Sequence, residues 1–432
     1  MLGKQLKILG TQATKAVTIL ILVLGPISVA ANAQTYSVLY NFTGGQDGAT
    51  PKAGVTLDQA GNLYGTAWQA GSVDGECSTR LQGRLGCGTV FELKHTGSGW
   101  VLNLLYTFHF DDGASPYSRA VFGPNGLLYG TTGHGGNDPQ GACGTQGYGC
   151  GVVFALSPPA TICRNVSCPW AETVLFKFGA GPSGCEPLYG DVVFDPGGNM
   201  YGTGLDCGFG QGVVWELTPS DSGWTESVPH EFATAPAISV PFASVTIDPA
   251  GNLYGTAIFN GQYGKGGVFE LTPSSSGWIY SEFYDFSGEN DGAIPRGGLI
   301  RDQAGNLYGT TFTAGANGGG TVYEFSPSNG GWTLTTLYSF SGGGGPYAVL
   351  TMDAAGNLYG TTLLDGAYGQ GNVFKLTPSN GSWTYTSLHD FTGGSDGGQP
   401  FGQVTLDANG NLYGTASIGG ASNKGVVWEI TP

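Results

Sequence analysis

The chain has 432 residues, 79 of them glycine, with 12% aromatic and only 11% charged residues. This aromatic content excludes a disordered chain, and the glycine abundance points to many short strands and tight turns. A formal net charge of −16 argues against nucleic acid and anionic lipid as partners, because like charges repel.

Residues 1–33 read as an export signal. Lys4, Lys7 and Lys15 precede the apolar run Val17 to Val23, and Ala31-Asn32-Ala33 fits the small-x-small cleavage rule. An uncleaved anchor is the alternative, but Pro26 and the shortness of the run oppose it, since a span needs about 20 apolar residues. No second hydrophobic run follows, so no membrane span is expected after cleavage. Removal of three lysines and no acids leaves 12 basic against 31 acidic residues, a net charge of −19. Neutral glycans, cations or basic proteins suit such a surface better than anions do.

Residues 34–432 read as one domain. It opens with a strand, Tyr36 to Phe42, whose residues Tyr36, Val38, Tyr40 and Phe42 alternate onto one face. A phrase of the form Asn-Leu-Tyr-Gly-Thr then recurs around Tyr64, Tyr129, Tyr201, Tyr254, Tyr308, Tyr359 and Tyr413, at intervals of 65, 72, 53, 54, 51 and 54 residues. The fifth copy shows the unit. Gly298 to Asp302 is a strand, Gln303 to Gly305 a turn, Asn306 to Thr311 a second strand, Ala314 to Gly320 a loop, Thr321 to Phe325 a third strand and Trp332 to Phe340 a fourth. Four strands joined by short turns make one antiparallel blade. Fourth strands carry a Trp and a Phe eight residues apart, and Trp100, Leu102, Leu104, Tyr106 and Phe108 are expected to share one face that packs between blades. Pro229 in such a strand requires an edge position, the outermost. First strands often open with a small residue, as at Gly54, Gly190 and Gly402, which suits a crowded axis.

The ends supply the topology. The chain starts with an isolated fourth strand and finishes with strands one to three in Val404 to Pro432. Together they make a seventh blade. The expected fold is therefore all-β, a seven-bladed β-propeller closed by the N-terminal strand joining the C-terminal three, which leaves no open array edge.

Eight cysteines lie between Cys77 and Cys207, consistent with an oxidising compartment. Adjacent pairing is the simplest arrangement: Cys77 with Cys87, Cys143 with Cys150, Cys163 with Cys168, and Cys185 with Cys207. The Cys163–Cys168 spacing and the lack of Cys/His clusters do not match a zinc site, so no metal is expected there.

The phrase Asp-x-x-Gly-Asn-Leu-Tyr-Gly-Thr, followed by a Gly-rich loop and Val-Phe-Glu-Leu-Thr-Pro, resembles the Gloeo-Verruco (GloVer) tandem repeat of exported bacterial proteins. Asp248 to Thr256 and Asp302 to Thr310 match it well, whereas Gly123 to Leu127 depart from it. The resemblance implies an exported propeller-like array and brings no catalytic residues with it.

Candidate chemistry is sparse. The recurrent Asp58, Asp195, Asp248, Asp302, Asp353 and Asp407 precede tight turns, where an Asp accepts backbone N–H bonds, so scaffolding explains them. His230 and His389 occupy slots that sister strands fill with aromatics. His134, in the loop 133–149, is the one histidine placed for chemistry, and no nucleophile elbow, metalloprotease or phosphate-loop motif occurs. The loops joining strands two to three and four to one are expected at one mouth of the ring. One set carries Asp47, Asp112, Asp291 and Asp396, either as Asp-Gly turns or as a carboxylate ring able to take calcium; no other cofactor is expected. The other carries Trp68, Phe259, Tyr263, Phe312 and Tyr368, which could stack on sugar rings.

The expected function is a non-enzymatic binding module outside the cytoplasm, holding a neutral glycan or protein on its loop-rich face, as a monomer. A polysaccharide lyase or glycoside hydrolase is the alternative and needs an acid–base pair peculiar to one or two blades. A passive envelope or matrix protein is the third possibility.

Overall fold

The computed structural model describes residues 34–72, 75–81, 85–97, 99–136, 148–159, 169–179, 186–205, 211–232 and 235–432. The expected signal, residues 1–33, lies outside them, as do Cys143, Cys163, Cys168, Cys185 and Cys207. Within them, Cys77 and Cys87 form a disulfide with Cα atoms 5.3 Å apart. Cys150 is also disulfide-bonded.

Seven antiparallel sheets follow one another in chain order. Blade 1 consists of Thr56–Leu57, Leu63–Ala67, Thr89–Thr96 and Gly99–Thr107. Blade 5 repeats it as Ile300–Arg301, Leu307–Thr311, Thr321–Ser328 and Gly331–Ser339. First strands are shorter than the sequence suggests, two residues each, because the chain comes from the axis and joins the ladder only just before the aspartate turn. Third strands run longer, so the final hairpin turns tightly at Asn329-Gly330. Blade 4 gains a short additional strand, Ile238–Pro241, paired to the far end of Leu253–Asn260.

Blade 7 is composite. Thr405–Leu406, Leu412–Ala416 and Val426–Thr431 are completed by Thr35–Asn41, with Tyr36 opposite Ile430 and Asn41 opposite Val426. The ring is closed as the sequence predicts.

One expectation fails in an informative way. The fourth strands do not hold their aromatics on a single face, because each carries a β-bulge. Leu104 lies opposite Phe91, but Tyr106 lies opposite Val90, leaving Leu105 as the inserted residue. A bulge reverses the side-chain parity beyond it. Trp100 and Leu102 therefore pack toward blade 7 with Phe91, Leu93 and Tyr413, while Leu105, Tyr106 and Phe108 pack toward blade 2 with Leu128 and Phe154. One strand thus seals two interfaces. Pro229 sits at the equivalent bulge on an outer-edge strand, where its missing N–H breaks no ladder bond.

Two further contacts repeat around the ring. The fourth-strand Trp meets the motif Tyr of the preceding blade, as in Trp278–Tyr201, Trp332–Tyr254 and Trp383–Tyr308, with centroids 6.0, 5.8 and 6.4 Å apart. Near the axis, each motif Thr donates its hydroxyl to a backbone carbonyl of the next blade: Thr66 to Ser118 at 2.9 Å, Thr203 to Ala243 at 3.0 Å, Thr256 to Gly297 at 3.1 Å. Small residues are needed there. A Cβ on Gly54 would stand 2.2 Å from the Gln403 carbonyl oxygen, and one on Gly402 would stand 2.3 Å from the Gly54 nitrogen.

The recurrent aspartates are scaffolding. Asp302 Oδ1 accepts the Asn306 N–H at 2.8 Å, and Oδ2 accepts the Asn306 amide at 2.8 Å and the Tyr308 hydroxyl at 3.1 Å. The third-strand Glu324 lies 3.2 Å from that same hydroxyl. Carboxylates at these positions orient the motif tyrosine rather than facing a ligand.

Candidate ligand-binding site

The two expected loop sets do share one mouth: Ala49 bridges Gln69, Ala293 bridges Thr313 and Gly398 bridges Ile418. From that mouth each blade sends one side chain to the axis. These are Lys52, Tyr117, Tyr189, Phe242, Arg296, Tyr347 and Phe401, each twelve residues before its blade's motif tyrosine. Five aromatics and two cations thus occupy a single register position.

The backbone that aims them is strained. Thr50, Ser115, Val240, Ile294 and Gln399, two residues earlier, have φ of 55, 59, 62, 58 and 52°. Left-handed backbone is unfavourable for any of these residues and most so for β-branched ones. Two hydrogen bonds hold the conformation. The Ile294 N–H donates to Lys265 of the preceding blade at 2.9 Å, and its carbonyl accepts from Phe312 of its own blade at 3.0 Å. Gln399 does the same with Gln370 at 2.7 Å and Ser417 at 3.3 Å. A proline follows each of the five, fixing the next φ and delivering the ring residue to the axis. In blade 3 the device is shifted by one residue, to Glu186 and Pro187.

The side chains meet across the axis. Tyr189 stacks on Phe242 at 4.2 Å, Tyr189 and Tyr347 from distant blades are 5.9 Å apart, and Tyr347 meets Phe401 at 5.0 Å. Burial pushes the Tyr347 hydroxyl far above its ordinary pKa. Lys52 Nζ lies 3.9 Å from the Trp68 ring centroid and 4.9 Å from that of Tyr117. The Arg296 guanidinium lies 4.5 Å from Phe312, 4.9 Å from Tyr347 and 5.4 Å from Phe242. The seven axial side chains, with Arg119, Asp191, Ser244 and Gln403, line a cavity of about 50 Å³. Asp191, its one carboxylate among the described residues, accepts the Arg119 Nε at 2.7 Å and the Arg119 backbone N–H at 2.8 Å.

The sequence-derived candidates distribute as follows. Trp68 and Phe312 border the axial ring. Phe259, Tyr263 and Tyr368 are exposed, at 48, 51 and 62%, away from it. Tyr263 instead shares an open rim cleft with Glu282, Asp285 and Asp291. His134 is 6% exposed, its backbone paired with Ala114 and its ring edge-on to Tyr148 at 5.6 Å. The four loop carboxylates do not converge. Asp47 accepts from Tyr40, Thr43 and Gly45, Asp112 from Tyr106 and His109, Asp291 from Tyr284 and Ser287, and Asp396 from Thr392 with His389 at 3.2 Å. Each closes the loop that follows its own fourth strand. Among the described residues no group of three or more His, Cys, Asp or Glu is spaced to hold a metal ion.

Sequence reasoning missed the axial ring because its residues share no identity. The signal was compositional: only Tyr, Phe, Lys and Arg occur at that offset, with Pro ahead of six of them and a small residue behind all seven.

The fold and this mouth define a closed seven-bladed β-propeller with an aromatic and cationic axial pocket. The Gloeobacter/Verrucomicrobia repeat profile matches residues 77–304 and 240–432. The chain belongs to that family. No curated protein matches it in sequence. Among solved structures it is similar to the extracellular domain of a protein assigned as a hybrid two-component system from B. thetaiotaomicron, at 10% identity and a TM-score of 0.53, covering 91% of this chain and 39% of that one. It is also similar to a gluconolactonase from Xanthomonas campestris (14%, TM-score 0.40, 65% of this chain and 78% of that one). A third is a protein assigned as an oxidoreductase, glucose dehydrogenase, from Thermus thermophilus (16%, TM-score 0.42, 73% and 96%). At these identities the likeness concerns the fold alone. Among the described residues no helix is long and apolar enough to cross a membrane.

Proposed function

We propose that the protein is an exported, non-enzymatic binding module that holds a glycan at the axial mouth of its loop-rich face. The observation that carries this is the single register position filled by five aromatics and two cations, aimed at the axis in six of the seven blades from left-handed, strained backbone. Strain of this kind persists only where surrounding structure enforces it, and it collects at functional sites. The half-buried rings among them, Tyr189 and Phe401, and the bordering Trp68 suit the C–H faces of sugar rings. The Cys77–Cys87 disulfide agrees with an oxidising compartment. A binding role accords with the pocket's chemistry: its carboxylate is committed to Arg119, and among the described residues no histidine lines it.

A glycan array tests this reading, with binding expected to be lost on Tyr189→Ala or Trp68→Ala and kept on Tyr263→Ala. An empty array together with empty pull-downs from envelope extracts would favour a passive structural role instead.

One observation favours the enzymatic alternative. Glu282 is carried up to about 7, first by burial and then by hydrogen bonding to Asp285, and the pair lines the rim cleft beside Tyr263. Sister strands hold apolar or hydroxyl residues at the Glu282 position, so this acid pair is peculiar to one blade. Polysaccharide turnover abolished by Glu282→Gln would establish that reading.

A further inference from the structure

We propose that the axial pocket reads an acid group: it takes the carboxylate of a uronate-type sugar, with Arg296 meeting the carboxylate and the aromatic rim carrying the sugar ring. This rests on the axial-mouth reading above and narrows its ligand from a glycan to an acidic one.

The charge distribution is the first ground. The whole chain has 15 basic and 31 acidic residues, yet among the described residues the pocket is lined by three basic side chains, Lys52, Arg119 and Arg296, and one acidic, Asp191. The axis is a positive well in an acidic molecule, and a recessed well of one sign concentrates ligands of the other.

The second ground is the state of the two arginines. Arg119 is neutralised by Asp191 through an Nε–Oδ2 contact of 2.7 Å. Arg296 has no such partner: among the described residues no carboxylate lies within ion-pair distance of it, and its Nε is buried without a hydrogen-bond acceptor. Phe312, Tyr347 and Phe242 surround the guanidinium at 4.5, 4.9 and 5.4 Å from their ring centroids. Aromatic contact and a hydrogen bond to the Tyr347 hydroxyl hold the group in place while its Nε keeps no acceptor, and a planar fork so held suits capture of a planar carboxylate. Burying a cation without a counter-ion is costly, and an entering carboxylate removes that cost.

Size sets the division of labour. A cavity of about 50 Å³ holds a carboxylate but not a sugar ring. The ring must stay at the rim, beside the half-buried Tyr189 and Trp68.

Calorimetry on the protein with D-glucuronate, D-glucose and D-glucose 6-sulfate tests the proposal. Glucuronate is expected to bind at least tenfold more tightly than glucose, with the preference falling below threefold in Arg296→Gln. Arg296→Lys keeps the charge without the fork, so it should lose at least threefold for glucuronate while glucose is unchanged. It also decides the matter if Arg296→Gln does not fold. Equal binding of glucose and glucuronate overturns the acid-group assignment but leaves the binding reading standing. Equal binding of the sulfate overturns the carboxylate assignment, since charge alone would then be read. If neither glucuronate nor glucose binds while an array glycan does so in a Tyr189-dependent way, the inference falls and the broader reading survives.

Discussion

Thr415 Oγ1 donates a hydrogen bond to the Ala53 carbonyl at 2.6 Å, tying together residues 362 positions apart where the ring closes. The same bond joins continuous blades, as from Thr256 to Gly297 at 3.1 Å. Valine keeps the shape of threonine but leaves the carbonyl without its partner, at about 1–2 kcal/mol. Thr415→Val and Thr256→Val should therefore cost similar amounts in urea unfolding. A Thr415→Val change without cost would mean the seam stands open in solution.

The strained lead-in to the axis makes a backbone prediction. Gln399 has a φ of 52°. Glycine adopts that conformation freely but loses more entropy on folding, so Gln399→Gly should leave stability within about 1 kcal/mol. Gln399→Val adds a β-branched side chain at the same φ and should destabilise by about 1–2 kcal/mol more, read by thermal melts.

Two half-buried groups give opposite pH dependences. Burial lowers His230 from 6.5 to about 4, and the ring stacks on Tyr280 at 3.8 Å. Its neutral form is favoured by the fold, so that contribution is complete above about pH 6.5 and is lost as pH falls toward 4. Glu282 behaves in reverse. With its carboxyl raised from 4.5 to about 7, chiefly by burial, its contribution is complete below 4.5 and lost as pH rises through 7. His230→Phe should raise Tm at pH 5 more than at pH 8, and Glu282→Gln should raise it at pH 8 more than at pH 4.

Calcium is expected to leave Tm unchanged at millimolar concentration. Asp47, Asp112, Asp291 and Asp396 each accept hydrogen bonds from their own segment, and each would have to surrender them to coordinate an ion. A rise of several degrees would show that the loops rearrange into a cation site.

The architecture was legible because its period survives in sequence: the motif tyrosines, the fourth-strand Trp residues and the complementary ends are identities that recur. The bulges were hidden because the inserted residue is itself apolar. Leu105 and Leu337 sit inside an alternation that already looks complete at Trp100, Leu102, Leu104 and Tyr106. The axial pocket was hidden for a different reason. Lys52, Tyr189 and Arg296 occupy one register position but differ in kind, and only the ring geometry makes them neighbours. Trp68 and Phe312, singled out as loop aromatics, lie beside the axial ring, while Tyr263 and Tyr368 were indistinguishable from them until exposure and distance from the axis were known.

Hydrogen–deuterium exchange with and without an array-selected glycan tests the central claim most directly. Slower exchange is expected at residues 50–54, 115–119 and 294–298, where strained backbone carries the axial side chains. Protection confined to residues 262–291 at the rim cleft, with those segments unchanged, would contradict an axial binding site.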